Sequence, residues 1–142
     1  MPVRKAQAVW EGDLLKGRGK MSFGSGAFEG QYSFSSRFEE GVGTNPEELI
    51  AAAHAGCFAM AFSNVLAKAG FTPVSVDATA KVRLEKLPEG FKITRIDLET
   101  VGDVPDISET QFMELAEGAK KGCPVSQLLT GAEITLQATL KQ

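Results

Sequence analysis

A chain of 142 residues, 43% of them hydrophobic, carries enough apolar side chains for one sizeable core, and a single domain over residues 1–142 is the expectation. With 23% charged residues and a formal net charge of -3, it lacks the basic footprint that nucleic acid or an anionic membrane surface demands. Two cysteines are too few for a stapled scaffold or a four-cysteine zinc site, which leaves redox chemistry or plain burial.

The amino terminus has Arg4 and Lys5 but no apolar run behind them to act as a secretory core, so a cytoplasmic location is expected. Ala6, Ala8 and Trp10 share one parity, Gly17-Arg18-Gly19 turns the chain, and Met21, Phe23 and a glycine-interrupted run to Phe34 follow. These pieces predict short paired strands over the first forty residues. After Gly41-Val42-Gly43 the pattern changes. Asn45 suits a cap, Pro46 the first helical position, and Glu47 and Glu48 place negative charge at the positive end of the helix dipole. The helix should run to Lys68 or Ala69, where Gly70 and Thr72-Pro73 stop it. Its stretch Leu49 to Leu66 approaches the length of a membrane span, but His54, Ser63 and Asn64 interrupt it and its alanines are weakly apolar. A helix covered by protein on most sides is the better account.

From Val74 the period becomes two, with Val74, Val76, Ala78, Ala80, Val82 and Leu84 on one face and polar or charged residues on the other. Pro88-Glu89-Gly90 turns into a second strand, Phe91 to Val101, whose apolar parity slips between Ile93 and Ile96 and predicts a bulge. Asp106 to Glu109 offers caps for an amphipathic helix carrying Phe112, Met113, Leu115, Ala116 and Ala119 and ending near Gly122. Cys123 to Leu129 reads as a short helical turn, and Ile134, Leu136, Ala138 and Leu140 as a closing strand. The order predicts an α+β domain in which antiparallel sheet covers helices. An apolar helix needs more cover than one small sheet gives, which predicts a second subunit against it.

The chemistry rests on few residues. Cys57 sits mid-helix among Ala53, Gly56, Phe58, Met60 and Ala61, where a free cysteine is better explained by packing than by reactivity. Cys123 precedes Pro124 and a short helix whose unpaired N–H groups favour thiolate. Chain separation does not decide whether the two meet, since a disulfide asks only for Cα atoms about 4.4–6.8 Å apart. A thiolate among apolar groups needs a cation, because desolvation otherwise raises its pKa. Arg37, between Phe34 and Phe38, is the candidate, with a surface charge as the alternative. Glu47 offers a forked partner for a guanidinium, although the helix dipole alone also accounts for it. Ten positions of helix separate Glu47 from Cys57, about 15 Å of rise, so an arginine held by Glu47 reaches Cys57 more easily from a partner subunit.

Gly43-Thr44-Asn45-Pro46-Glu47-Glu48-Leu49, then Ala51-Ala52-Ala53-His54-Ala55-Gly56-Cys57-Phe58 and later Gly122-Cys123-Pro124-Val125-Ser126 resemble the osmotically inducible protein C and organic hydroperoxide resistance (OsmC/Ohr) family. The resemblance runs from Ala8-Val9-Trp10-Glu11-Gly12 through Gly70-Phe71-Thr72-Pro73 to the last strand; Val125-Ser126-Gln127 and His54 look more like the OsmC branch. It implies an intertwined homodimer with antiparallel sheets wrapped around two long central helices, shared active sites, and no metal or organic cofactor. By position, Cys57 matches the family's peroxidatic cysteine, Cys123 its resolving cysteine, Arg37 its activating arginine and Glu47 the glutamate that holds that arginine. The implied activity is reduction of organic hydroperoxides, and of hydrogen peroxide less well, through a Cys57 sulfenic acid and a Cys57–Cys123 disulfide, in an antioxidant stress response. A small or protein-bound dithiol such as a dihydrolipoyl group is the implied reductant. Phe38, Phe58, Met60 and Phe62 are candidates for an apolar entry, with core packing as the alternative. His54, the single histidine, is read as a satisfied core residue without a role. A hydrophobic-ligand binder or a redox sensor of the same fold are the rival functions.

Overall fold

Local sequence decides most element boundaries in the computed structural model, which describes residues 1–142. The chain divides into two compact units, Met1–Leu49 and Ile50–Gln142. In the first, β1 (Ala6–Glu11), β2 (Arg18–Phe23) and β3 (Glu29–Tyr32) form an antiparallel meander, with Ala8 opposite Met21 and Met21 opposite Gly30. Gly19 lies between the rings of Trp10 and Tyr32, where a Cβ would come within 2.5 Å of Tyr32 Cε1. Only a residue without a side chain lets those rings approach to 5.3 Å.

The expected strands over the first forty residues give way after Tyr32 to a short helix, α1 (Phe34–Phe38). Ser33 and Ser36 make a reciprocal capping box: Ser36 N–H donates to Ser33 Oγ at 3.1 Å and Ser33 N–H to Ser36 Oγ at 2.8 Å. Two serines three apart are the cue, and the strand reading overlooked it. Ser36 Oγ also donates to Thr44 O at 2.8 Å, and Asn45 Nδ2 to Ser36 O at 3.0 Å, so α1 is tied to the start of the next helix.

That helix, α2 (Pro46–Lys68), begins as expected, with Glu48 N–H donating to Asn45 Oδ1 at 2.8 Å. Gly70, at φ +98°, ends it, and Phe71 N–H returns to Leu66 O at 3.0 Å. Within one chain the helix is covered along one stripe. His54, Phe58, Phe62 and Leu66 form a fully buried stripe at four-residue spacing, while Ala53, Gly56, Met60 and Asn64 on another face are exposed.

In the second unit, β4 (Ser75–Leu87) and β5 (Gly90–Asp103) pair antiparallel. The predicted bulge is present: Arg83 opposes Arg95 and Leu84 opposes Ile93, leaving Thr94 without a partner. Ser108 caps α3 (Glu109–Gly122) by accepting from Gln111 N–H, Cys123 heads α4 (Pro124–Leu128), and β6 (Glu133–Leu140) follows. The antiparallel expectation is corrected here, because β6 pairs with β5 in parallel, Ile96 opposite Ile134 and Leu98 opposite Leu136. The α3–α4 connection is long enough to bring the chain back in the same direction, and a period of two is the same in either sense of pairing. Phe58, Phe62, Leu66, Leu98, Phe112 and Ala116 make the core, with Phe62 and Phe112 ring centroids 5.1 Å apart. Burying each such ring contributes about 1.5–3 kcal/mol.

Candidate active site

Within the second unit, the middle of α2 and the head of α4 bring two thiols together. Cys57 Sγ and Cys123 Sγ lie 2.9 Å apart, and both are free cysteines. The two differ in access. Cys123 is buried completely, whereas Cys57 opens with Met60, Ala61, Val65, Ala119 and Pro124 onto a cleft of about 700 Å³. A mostly apolar cleft ending at one sulfur, with the second sulfur behind it, suits an apolar reactant that meets Cys57 first.

The surroundings push the two thiols in opposite directions. Burial raises the Cys57 pKa, the hydrogen bond with Cys123 raises it further, and the Val125 N–H opposes them without prevailing. Burial also acts upward on Cys123, but the Cys57 thiol, the Ser126 N–H and hydroxyl, and the Val125 N–H outweigh it and lower that thiol. Cys123 makes no side-chain capping bond at the head of α4. Behind the pair, His54 Nε2 and Ser126 Oγ are 2.7 Å apart in full burial, and burial lowers the histidine pKa.

In the first unit, α1 and the first turn of α2 present Arg37 to Glu47. Arg37 Nε lies 3.1 and 3.2 Å from the two carboxylate oxygens of Glu47, and Nη2 lies 2.7 Å from Oε1. Glu47 is buried, and Arg37 Cζ stands 5.3 Å from the Phe38 ring centroid. A forked pair of this kind fixes the plane of the guanidinium and leaves Nη1 outside those three bonds.

Residues 39–138 match the family of OsmC-like proteins. The chain belongs to that family. Relatives agree along its length: it is 53% identical over 139 residues to Peroxiredoxin OsmC of Escherichia coli (strain K12), covering 97% of this chain and 96% of that one. It is 34% identical over 98 residues to an organic hydroperoxide resistance protein of Xanthomonas axonopodis pv. citri, covering 68% of this chain and 67% of the relative. Among solved structures, an organic hydroperoxide resistance protein OsmC from Legionella pneumophila superposes with a TM-score of 0.74 at 24% identity, covering 98% of this chain and 99% of that one, which shows the shared α+β fold.

This OsmC-like chain therefore joins the expected site residues in two pairs, Cys57 with Cys123 and Arg37 with Glu47. Of the residues read as an apolar entry, Met60 lines the cleft, whereas Phe58 and Phe62 are core residues with no exposure. Sequence reasoning gave His54 no role, and it missed Ser126. The cue was positional: His54 lies three residues before Cys57 and Ser126 three after Cys123, about one helical turn from each sulfur.

Proposed function

We propose that the protein is a thiol-dependent peroxidase for organic hydroperoxides, in which Cys57 attacks the peroxide and Cys123 closes a disulfide behind it. The observation that carries the reading is the 2.9 Å sulfur pair with Cys57 alone on the cleft. The Cys57 thiolate displaces alkoxide from the terminal peroxide oxygen, breaking O–O and forming S–O. The alkoxide takes a proton to leave as alcohol, and Cys57 is left as sulfenic acid. Cys123 then condenses with it and releases water, and a dithiol, of which a dihydrolipoyl group is one candidate, reduces the disulfide. Thiol chemistry of this kind uses no cofactor.

One requirement remains inside this reading. Burial and Cys123 both work against ionising Cys57, so a cation must reverse the order before peroxide arrives. Arg37, oriented by Glu47, is that cation in the proposal, with Nη1 directed to the sulfur and the peroxide oxygen. Since Glu47 and Cys57 are ten residues apart on one helix, about 15 Å of rise, the arginine comes from a second copy. We therefore read the active protein as a homodimer with shared sites, in which residues 1–142 work as one domain, soluble and cytoplasmic. Although α2 is long and apolar enough to cross a membrane, its Phe58, Phe62 and Leu66 face is buried in the chain's own core.

The test is consumption of cumene hydroperoxide by wild type, Cys57→Ser and Cys123→Ser, with mass spectrometry of the oxidised forms. Wild type should turn over with a dithiol, Cys57→Ser should consume nothing, and Cys123→Ser should stop after adding one oxygen to Cys57. Unchanged free thiols in wild type after peroxide would instead support a binder of apolar ligands.

A further inference from the structure

The five-residue helix α1 is too short to keep a helical shape by its own backbone bonds, yet it carries the arginine of the proposed chemistry. A two-armed clasp to the start of α2 holds it. Ser36 Oγ donates to Thr44 O at 2.8 Å, and in the return direction Asn45 Nδ2 donates to Ser36 O at 3.0 Å. Ser36 and Thr44 are buried, so these bonds replace water that the groups have lost. Ser36 adjoins Arg37, and Asn45 stands two residues before Glu47. The clasp therefore closes beside the fork, where Arg37 Nε and Nη2 meet the Glu47 carboxylate at 2.7 to 3.2 Å.

Asn45 works in both directions. Its Oδ1 accepts from Glu48 N–H at 2.8 Å and caps α2, which leaves the amide nitrogen to reach α1. A serine there would cap α2 as well, but its side chain is one bond shorter and offers no second arm toward Ser36 O. Thr44 Oγ1 donates to Glu48 Oε1 at 2.7 Å and engages that carboxylate, while its neighbour Glu47 meets the guanidinium.

We propose that Ser36 and Asn45 are positioning residues for the peroxide step: their two hydrogen bonds set α1 against the start of α2 and so hold the Arg37 guanidinium, gripped by Glu47, in one place. The inference rests on the reading of Arg37 as the cation that ionises Cys57. The fork fixes the plane of the guanidinium relative to Glu47, and the clasp fixes the backbone from which the arginine extends. With the clasp cut, α1 frays and the cation spends part of its time away from the sulfur, a misplacement that costs rate without removing any reacting group.

Single-turnover stopped-flow with cumene hydroperoxide gives the peroxide step and disulfide closure as successive phases, the second identified by non-reducing mass analysis. The pH midpoint of Cys57 alkylation by iodoacetamide is measured on the reduced protein. Asn45→Ser should slow the peroxide step roughly three- to tenfold, the loss of one hydrogen bond, and leave disulfide closure unchanged. It should also move the alkylation midpoint to higher pH, since a guanidinium that strays from the sulfur supports less thiolate. Ser36→Ala, which breaks the other arm together with the capping box, should act in the same direction. In an Arg37→Ala background, Asn45→Ser should slow the peroxide step no further, because nothing is left to position. A wild-type peroxide rate or an unmoved alkylation midpoint in Asn45→Ser would overturn the proposal. So would equal slowing with and without Arg37, or a parallel loss of disulfide closure with a lowered melting temperature, the marks of a structural role. If Arg37→Ala alone is oxidised at the wild-type rate, the reading of Arg37 as the activating cation fails and this inference with it, an outcome distinct from the others.

Discussion

The chemistry turns on unequal treatment of two identical side chains. Cys57 is half-buried at the end of a cleft and its pKa is raised, while Cys123 is sealed behind it and lowered. Environments that drive a titrating pair apart assign an order of events, and the order here needs a cation to ionise the outer sulfur first. Arg37→Lys keeps the charge but loses the fork that Glu47 grips at 2.7 to 3.2 Å. It should lower the rate constant with peroxide by about ten- to a hundredfold while leaving disulfide closure unchanged, as read by the same stopped-flow traces. His54 supports a second expectation. Its folded pKa lies below the ordinary 6.5, so the unfolded chain binds more protons just under that value. The stabilising contribution is full above about pH 6.5 and is lost as pH falls below it toward the lowered folded value. Urea midpoints taken between about pH 7.5 and 5.5 should decline in wild type and decline less in His54→Gln.

Elements place these side chains through short-range cues that the sequence states openly. Asn45, Pro46, Glu47 and Glu48 start α2, Gly70 ends it, and Ser108 starts α3, because each boundary is written within four residues. The bulge at Thr94 was legible for the same reason, as a slip in parity between Ile93 and Ile96. Two features were not. The α1 helix rests on Ser33 and Ser36 exchanging hydrogen bonds, a local signal masked by the alternation around it. The parallel sense of β6 leaves no trace in its own residues, since strand direction is decided by the route of the chain through α3 and α4. Packing between elements supports a direct test at Gly102 on β5, where a Cβ would sit 2.5 Å from Phe112 Cε1. Phe112 is fully buried and its ring has no room to withdraw, so Gly102→Ala should destabilise by about 1–3 kcal/mol, measurable as a shift in denaturant midpoint.

At the scale of the whole molecule, α2 sets the remaining question. One stripe, His54 to Leu66, is sealed in the core, while Met60 is 77% exposed and shares its face with Gly56 and Asn64. A helix with this composition leaves apolar surface that a second copy can cover, and the proposed transfer of Arg37 between copies gives the same contact a chemical purpose. Sedimentation should therefore give the mass of two chains. Mixing inactive Glu47→Ala and Cys57→Ser proteins after mild unfolding should restore part of the activity, because half of the mixed dimers' sites combine an intact Glu47 from one copy with an intact Cys57 from the other. A single-chain mass, or no recovery on mixing, would return the arginine to its own subunit's surface.

By itself, the sequence determined where α2 and α3 begin and end, where the β5 bulge falls and which faces are apolar, and it pointed to the four side chains of the proposed chemistry, since all of these are written in neighbouring residues and in local motifs. Only the tertiary structure decided that Cys57 and Cys123 meet, that one of them faces the cleft, and that His54 and Ser126 stand behind the other. Those are relations between residues 66 and 72 positions apart, and distance along a chain carries no information about which burial, and hence which pKa, each group acquires when the core closes.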